Sequence, residues 1–317
     1  MTRLAVVERL SSTVSQVMTD NQCTNVTVTF SSVFLSDGLS QQEESPVAED
    51  QSLKGKTALI ILNSPISNPP SQLFQRLWDL SSVHICADGG ANRLYEATAF
   101  RDVDGDDGAD DDDRKNKYIP DRIRGDLDSL QPHVRDFYAS LGTQIERDKC
   151  QDTNDLDKTL QVCNNVSSRV LVYGAFGGRF DQEMASIQAM YKWSKTFDNQ
   201  LYLYTDETCA FLIPANTRCG IRMPYYNDHK PSNGETNGDD TTERTSTKFV
   251  GEGPTCGLIP IGCRCDSIKT QGFKWDLDGS VPLEFGGLVS TSNRLMEPVV
   301  IVEASHPIVF TAEITTS

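Results

Sequence analysis

Three aspartates with short spacings are the residues best suited to chemistry in this chain. Asp126 and Asp128 are separated by one leucine, and Asp155 follows at the end of residues 151–155. Two carboxylates at i and i+2 in extended backbone point to the same side of a strand. Converging carboxylate oxygens suit Mg²⁺, which proteins bind through a few carboxylates together with substrate phosphates. The spacing therefore predicts a metal site at these three acids, although an isolated Asp-x-Asp is more often a solvated turn.

Further motifs flank these acids in a set order. Residues 87–94 lie upstream, residues 174–182 lie downstream, and residues 272–275 and 288–293 follow near the C-terminus. Together with the acids, these motifs resemble the thiamine pyrophosphokinase family, whose members transfer pyrophosphate from ATP to thiamine. The resemblance covers about residues 57–317 apart from two insertions. Five motifs in the family's order make it specific, whereas each motif alone is weak.

The resemblance implies a catalytic and metal role for the three acids, with Mg²⁺ as cofactor and thiamine and ATP as substrates. It also implies a homodimer in which thiamine binds between subunits. It does not single out one carboxylate as the general base. The residues expected to contact ATP are Asp88, Gly89, Gly90, Asn92, Gln151, Lys158, Gly177, Gly178, Arg179 and Asp181. Those expected to contact thiamine are Trp275, Ser290, Ser292 and Asn293.

Several of these residues also have a purely structural interpretation. Gly89 and Gly90 can serve a tight turn alone, and Arg179 can be a surface arginine paired with an acid. Lys158 can be a solvated helix lysine. Trp275 can belong to the core, or it can stack on the aminopyrimidine or face the thiazolium cation.

The alternation of strand, loop and helix over residues 55–208 predicts parallel βαβ units, hence a Rossmann-like α/β/α domain. Strands are expected at 57–62, 83–87 and 170–173, with another near 118–120. Ligands bind beyond the carboxyl ends of such strands, so the glycine loops should meet at one edge of the sheet.

Two helices are expected to contribute to this site. Thr153 or Asn154 can cap a helix that carries Asp155 in its first turn. A second helix is expected at 180–193, and its apolar stripe is predicted to belong to the core. That stripe consists of Phe180, Met184, Ile187 and Tyr191.

Short strand-like runs separated by turn residues replace helical periodicity over residues 209–317. This pattern predicts a C-terminal antiparallel β-sandwich, which the resemblance makes the thiamine-binding domain. One of these runs covers residues 283–285. Residues 224–250 are expected to be a disordered insertion, and residues 1–54 a poorly ordered extension.

Composition limits the possible functions. The net charge is −16, and eight aspartates within the acidic insertion 102–114 account for half of it. An acidic chain argues against nucleic-acid binding, and no apolar run approaches the length of a membrane span. Nine scattered cysteines without a secretory signal favour a reducing cytoplasmic location.

Two other functions fit the acidic set. One is a metal-dependent nucleotide phosphohydrolase, which would need no Trp275 pocket. The other is a thiamine or nucleotide sensor without catalysis, which the retention of all three acids and both glycine loops disfavours.

Overall fold

The computed structural model describes residues 28–31, 56–98, 117–222 and 250–316. The acidic insertion 102–114 lies outside these residues, as does the insertion 224–250 apart from its last residue. The expected N-terminal extension also lies outside them, except for a strand at Val28–Ser31. That strand pairs in parallel with a strand of the C-terminal half, so the extension does not lack regular structure throughout.

The described helices are α1 (Gln72–Asp79), α2 (Gly90–Thr98), α3 (Pro132–Ser140), α4 (Asp155–Cys163) and α5 (Phe180–Trp193). The strands of the N-terminal half are β1 (Val28–Ser31), β2 (Thr57–Ile61), β3 (Val83–Ala87), β4 (Arg122–Gly125), β5 (Gln144–Arg147), β6 (Arg169–Tyr173) and β7 (Leu201–Tyr204). Those of the C-terminal half are β8 (Thr208–Ile213), β9 (Thr217–Arg222), β10 (Val250–Ile259), β11 (Ile268–Gln271), β12 (Ser290–Arg294), β13 (Val299–Ala304) and β14 (Ile308–Thr316).

Two sheets organise these strands. The larger has the order β12-β10-β14-β8-β7-β6-β2-β3-β4-β5, and the smaller has the order β1-β9-β13-β11. The strands from β7 to β5 are parallel neighbours, whereas those from β8 to β12 are antiparallel. The predicted fold class, a mostly parallel α/β domain followed by an antiparallel β-sandwich, is confirmed. The antiparallel pair β7–β8 joins both parts into one continuous sheet.

The apolar strand β2 lies at the centre of the α/β part. All five of its residues are buried, and alternate side chains enter separate cores on the two faces of the sheet. Helix α2 packs closely against this strand, because a Cβ on Gly90 would lie 2.2 Å from the Ile61 backbone oxygen. Gly90 therefore has a packing role.

The predicted core stripe of α5 is only half correct. Ile187 is buried and Tyr191 is partly buried, but Phe180 is 71% exposed and Met184 is 36% exposed. The helix starts at the carboxyl edge of the sheet, so its first turns extend past the strands that would cover them. Sequence periodicity identifies the apolar face of a helix, but not how far the sheet beneath it reaches.

Other differences arise where strands lack apolar runs. The strand expected near 118–120 lies at Arg122–Gly125, and its alternating arginines hide the pattern. The run expected at 283–285 makes only isolated bridges at Leu283. Within the described residues, no helix is long and apolar enough to cross a membrane.

Candidate functional site

Three carboxylates meet at the carboxyl edge of the parallel strands. Asp88 follows β3, Asp126 follows β4, and Asp155 is the first residue of α4. β3 and β4 are parallel neighbours, so their ends lie side by side. Each acid offers one oxygen, and these oxygens all lie within 4.8 Å of one another. The loops after β3 and β4 therefore meet at one edge of the sheet, as predicted.

Asp128 does not belong to this group, and the premise behind its prediction is wrong. The backbone after β4 is not extended, because Leu127 has a φ of 63°. Asp128 is exposed, and its Oδ1 accepts a hydrogen bond from Ser129 Oγ at 3.1 Å. The third acid is Asp88, which the sequence suggested as an ATP contact. Its position directly after a buried strand was the available signal.

Gly125 makes the approach of the acids possible. A Cβ at this position would lie 2.7 Å from the Cβ of Asp88 and 3.0 Å from Asp155 Oδ1. Any side chain would therefore push two of the acids away from β4. The space left by the missing side chain is used by the carboxylates themselves.

Asp88 is the most buried of the three acids. It is 3% exposed, and its Oδ2 accepts a hydrogen bond from the Ser129 backbone N–H at 3.2 Å. Burial raises the pKa of Asp88, the hydrogen bonds from Ser129 oppose that shift, and the charges of Asp155 and Asp128 add to it. Among the described residues, Asp88 Oδ1 is buried without a hydrogen-bond partner.

These features match the needs of a hard cation. Mg²⁺ prefers carboxylate oxygens, and a buried oxygen without a donor gains most from a positive partner. Asp88, Asp126 and Asp155 together fit such an ion.

Lys158 already places one positive charge in this group. Its side chain is 2% exposed, and its Nζ lies 3.1 Å from Asp155 Oδ1 and 3.7 Å from Asp126 Oδ2. Burial lowers the pKa of Lys158, but the hydrogen bond and the negative charges of Asp155 and Asp126 outweigh it, so the pKa is raised. The interpretation as a solvated surface lysine is therefore wrong.

Two asparagines hold the backbone around the acids. The Asn154 side chain caps α4 by accepting a hydrogen bond from the Asp157 N–H at 2.7 Å, so of the two caps that the sequence allowed, Thr153 and Asn154, the structure has Asn154. Asn92 donates to the Ser129 backbone oxygen at 2.8 Å and accepts from the Gln131 N–H at 3.1 Å. Asn92 thus fixes the loop after β4, which gives this predicted ATP contact a structural role.

The loop between β6 and α5 is open. Gly177 and Gly178 have φ values of 89° and 88°, which favour glycine, and no atom of the described residues lies within 4 Å of a Cβ at either position. Arg179 is exposed and pairs with Asp181 through bonds of 3.0 Å and 2.5 Å. This is the structural interpretation of Arg179, yet the arginine remains accessible to a ligand. Gln151 is also exposed.

Three more of the predicted residues lie outside the group of three acids, one in the loop after β3 and two in β12. A Cβ on Gly89 would lie 2.4 Å from Asn63 Nδ2, so Gly89 allows the loops after β2 and β3 to touch. Ser290 begins β12 in the C-terminal part, and Ser292 is exposed with a φ of 55°.

Trp275 lies on the surface of the C-terminal part. Its side chain is 55% exposed, which excludes a core role, and Lys274 Nζ lies 4.5 Å from the centre of the ring system. Buried Asn293 accepts from the Trp275 N–H at 3.2 Å and donates to the Trp275 backbone oxygen at 2.9 Å. Asn293 thus positions Trp275 and uses its own amide groups to do so.

Comparison with known proteins decides the family. Residues 74–203 match the catalytic domain of thiamin pyrophosphokinase, and residues 243–309 match its vitamin B1 binding domain. The chain belongs to the thiamine pyrophosphokinase family. Thiamine pyrophosphokinase 3 of Oryza sativa subsp. japonica is 35% identical over 253 residues, which cover 77% of this chain and 81% of that protein. Thiamine pyrophosphokinase 2 of Arabidopsis thaliana is 34% identical over 273 residues, which cover 84% and 89%.

Solved structures share the fold. Yeast thiamin pyrophosphokinase superposes with a TM-score of 0.68 at 24% identity and covers 94% of this chain and 95% of its own. Thiamin pyrophosphokinase from Candida albicans gives a TM-score of 0.60 at 26% identity, with coverages of 86% and 97%. The family thus accounts for the α/β part and the sandwich together. The domain boundaries at 54/55 and 208/209 stay predictions.

We expect Asp88→Asn to stabilise the metal-free protein, and to do so more at higher pH. The raised pKa means that stability falls as pH increases from the ordinary aspartate pKa through that of folded Asp88, because ionising the buried group is unfavourable. Asparagine keeps the acceptor for Ser129 and cannot ionise. Denaturant unfolding with EDTA at pH 3 to 8 measures the difference in unfolding free energy. A difference independent of pH contradicts the expectation.

Proposed function

We propose that this chain transfers pyrophosphate from ATP to the hydroxyl of thiamine, forming thiamine diphosphate and AMP. The observation that carries the proposal is the group of three carboxylates at the sheet edge of a member of this family. Asp88 Oδ1 in this group has no hydrogen-bond partner among the described residues. Neither the phosphohydrolase nor the sensor is favoured by these features.

Asp88, Asp126 and Asp155 are the residues proposed to hold Mg²⁺. The bound ion would supply positive charge to the phosphate oxygens, which is the main requirement of such transfers. Asp128 is left with a lesser role, close enough for its charge to act on Asp88.

The chain's own groups position the reactants. The Lys158 ammonium offsets repulsion between Asp126 and Asp155 and supplies a further positive charge beside the acids. Arg179 projects from the open loop before α5, where its guanidinium can bind a phosphate oxygen after leaving Asp181. The carboxylates are also the groups able to accept or orient the proton of the attacking hydroxyl.

Thiamine is proposed to bind at Trp275. An exposed indole offers an apolar, electron-rich face to a flat cationic ring. Asn293 fixes the backbone that carries the indole, so little conformational entropy of this segment is lost when thiamine binds. Ser290 and Ser292 supply neighbouring hydroxyl groups on β12.

A homodimer is the proposed assembly, with thiamine between subunits. Its support is the number of large apolar side chains that the C-terminal part leaves exposed to solvent, which a second copy would cover. These side chains are Trp275, Val281, Phe285, Leu288 and Met296. A cytoplasmic location is also proposed, because the cysteines of the described residues are all unpaired, as a reducing compartment favours.

One assay tests the activity. The purified chain is incubated with Mg²⁺ and ATP, with and without thiamine, and AMP and thiamine diphosphate are measured. The proposal requires equal amounts of both products, and only when thiamine is present. Phosphate release without thiamine indicates a phosphohydrolase, and binding without turnover indicates a sensor.

Asp126→Asn should lower kcat by at least about a hundredfold, because the substitution removes a carboxylate from the metal group. Asp128→Asn is the matched variant, and its loss should be clearly smaller because that acid lies outside the group. Both should keep the wild-type circular dichroism spectrum. Equal losses in the two variants would return Asp128 to the metal site.

Trp275→Ala should raise the Michaelis constant for thiamine about ten- to thirtyfold, since a desolvated cation–π contact contributes roughly 1–2 kcal/mol. The Michaelis constant for ATP should change little. Lys274→Ala is the control, because it removes the neighbouring charge and leaves the ring. An unchanged thiamine constant in Trp275→Ala would place thiamine elsewhere.

The same variant tests the intersubunit arrangement. Asp126→Asn and Trp275→Ala chains, mixed and refolded together, should recover activity, because one site of each heterodimer would have both residues intact. Confirmed heterodimers without recovery would place Asp126 and Trp275 in the same subunit's site.

A further inference from the structure

Arg124, on β4, links segments that meet behind the acids. Its side chain is 19% exposed and makes three hydrogen bonds. Nε donates to the Lys158 backbone oxygen at 3.0 Å, Nη1 to Glu146 Oε2 at 3.0 Å, and Nη2 to Asp148 Oδ2 at 2.9 Å. Its backbone oxygen accepts a hydrogen bond from the Asp88 N–H at 3.0 Å.

These bonds hold both ends of the segment from Asp148 to Lys158, which connects β5 to α4 and carries Asp155. Asp148 is the first residue after β5, and its backbone N–H donates to the Gly125 oxygen at 2.7 Å. Lys158 lies one turn into α4, where its Nζ contacts Asp155. One planar guanidinium therefore fixes the start of the connection and the first turn of the helix to the same strand. The guanidinium of arginine, whose N–H donors point in fixed directions, suits these three acceptors better than the single ammonium of lysine.

We infer that Arg124 is a positioning residue, which holds α4 against β4 so that Asp155 and Lys158 stay beside Asp88 and Asp126. It does not itself contact the reactants. The inference rests on the proposed metal site for its effect on activity. Its structural part, the attachment of α4, depends only on the contacts above. Without the guanidinium, the Lys158 oxygen and Asp148 lose a charged donor, and the connection is free to shift.

Arg122 offers a matched control on the same strand. It lies two residues earlier and so on the same face of β4. Its Nη1 donates to Glu146 Oε1 at 2.8 Å, and its side chain is 31% exposed. Among the described hydrogen bonds, it makes none to α4 or Asp148. Arg122→Met therefore removes a comparable ion pair and leaves the attachment of α4 in place.

The experiment compares the wild type with Arg124→Met, Arg124→Lys and Arg122→Met. Mn²⁺ binding without nucleotide is followed by electron paramagnetic resonance, and hydrogen exchange is measured over residues 155–160. Arg124→Met should weaken Mn²⁺ binding at least about tenfold, as loss of a group supporting metal ligands does, and should speed exchange. Arg124→Lys should lie between it and the wild type. Arg122→Met should stay within about twofold of the wild type.

Two results would overturn the inference: Arg124→Met with wild-type binding and exchange, or Arg122→Met with the same losses as Arg124→Met. If Arg124→Met does not fold, Arg124→Lys decides, and wild-type behaviour in it overturns the inference. In the activity assay, Arg124→Met should need more Mg²⁺ for half-maximal kcat, with the thiamine Michaelis constant unchanged. A wild type without thiamine-dependent AMP refutes the proposed function alone, because exchange still tests Arg124.

Discussion

Repulsion between carboxylates is the interaction on which the site depends. Two unit negative charges 4 Å apart near a protein surface repel by roughly 4 kcal/mol, and three acids lie within 4.8 Å here. The fold holds them together by fixing their backbones to the ends of β3 and β4 and the start of α4. Lys158 offsets part of the repulsion, and the missing side chain of Gly125 provides the space. The unfavourable arrangement is what makes the site ready for a cation.

The proposed thiamine site also depends on hydrogen bonds between side chains and the backbone of a neighbouring segment. Asn293 binds the Trp275 main chain on both sides, and Asp276 accepts hydrogen bonds from the Gly272 and Phe273 N–H groups in the same loop. At each site a buried asparagine, Asn92 or Asn293, holds the backbone of more exposed residues in place. Substitutions of these asparagines should therefore weaken ligand binding by loosening the backbone at the site.

Sequence reasoning performed well where elements have strong patterns. β3 and α5 have the predicted bounds, because an apolar run and a helical stripe mark them. It misplaced β4, where alternating arginines face a charged network. It also wrongly expected extended backbone from Asp126 to Asp128, because a left-handed Leu127 cannot be read from the residue types. That Asp88 joins Asp126 and Asp155 follows from the pairing of β3 with β4, which the sequence does not show. The roles of Asn92 and Asn293 depend on contacts across 37 and 18 positions of the chain, which local spacing does not reveal.

The ladder that passes from β7 to β8 has a mechanical consequence. Enzymes that enclose their substrates often rotate two domains about a flexible joint. Here backbone hydrogen bonds between β7 and β8 join the two domains in one sheet. The Tyr204 hydroxyl also donates a buried hydrogen bond to Glu252 Oε1 at 2.7 Å. A rotation of one domain against the other would break the backbone hydrogen bonds between β7 and β8. Motions that open or close the carboxyl edge of the sheet are therefore expected in surface loops, such as the glycine-rich segment before α5, and not at the junction between the domains.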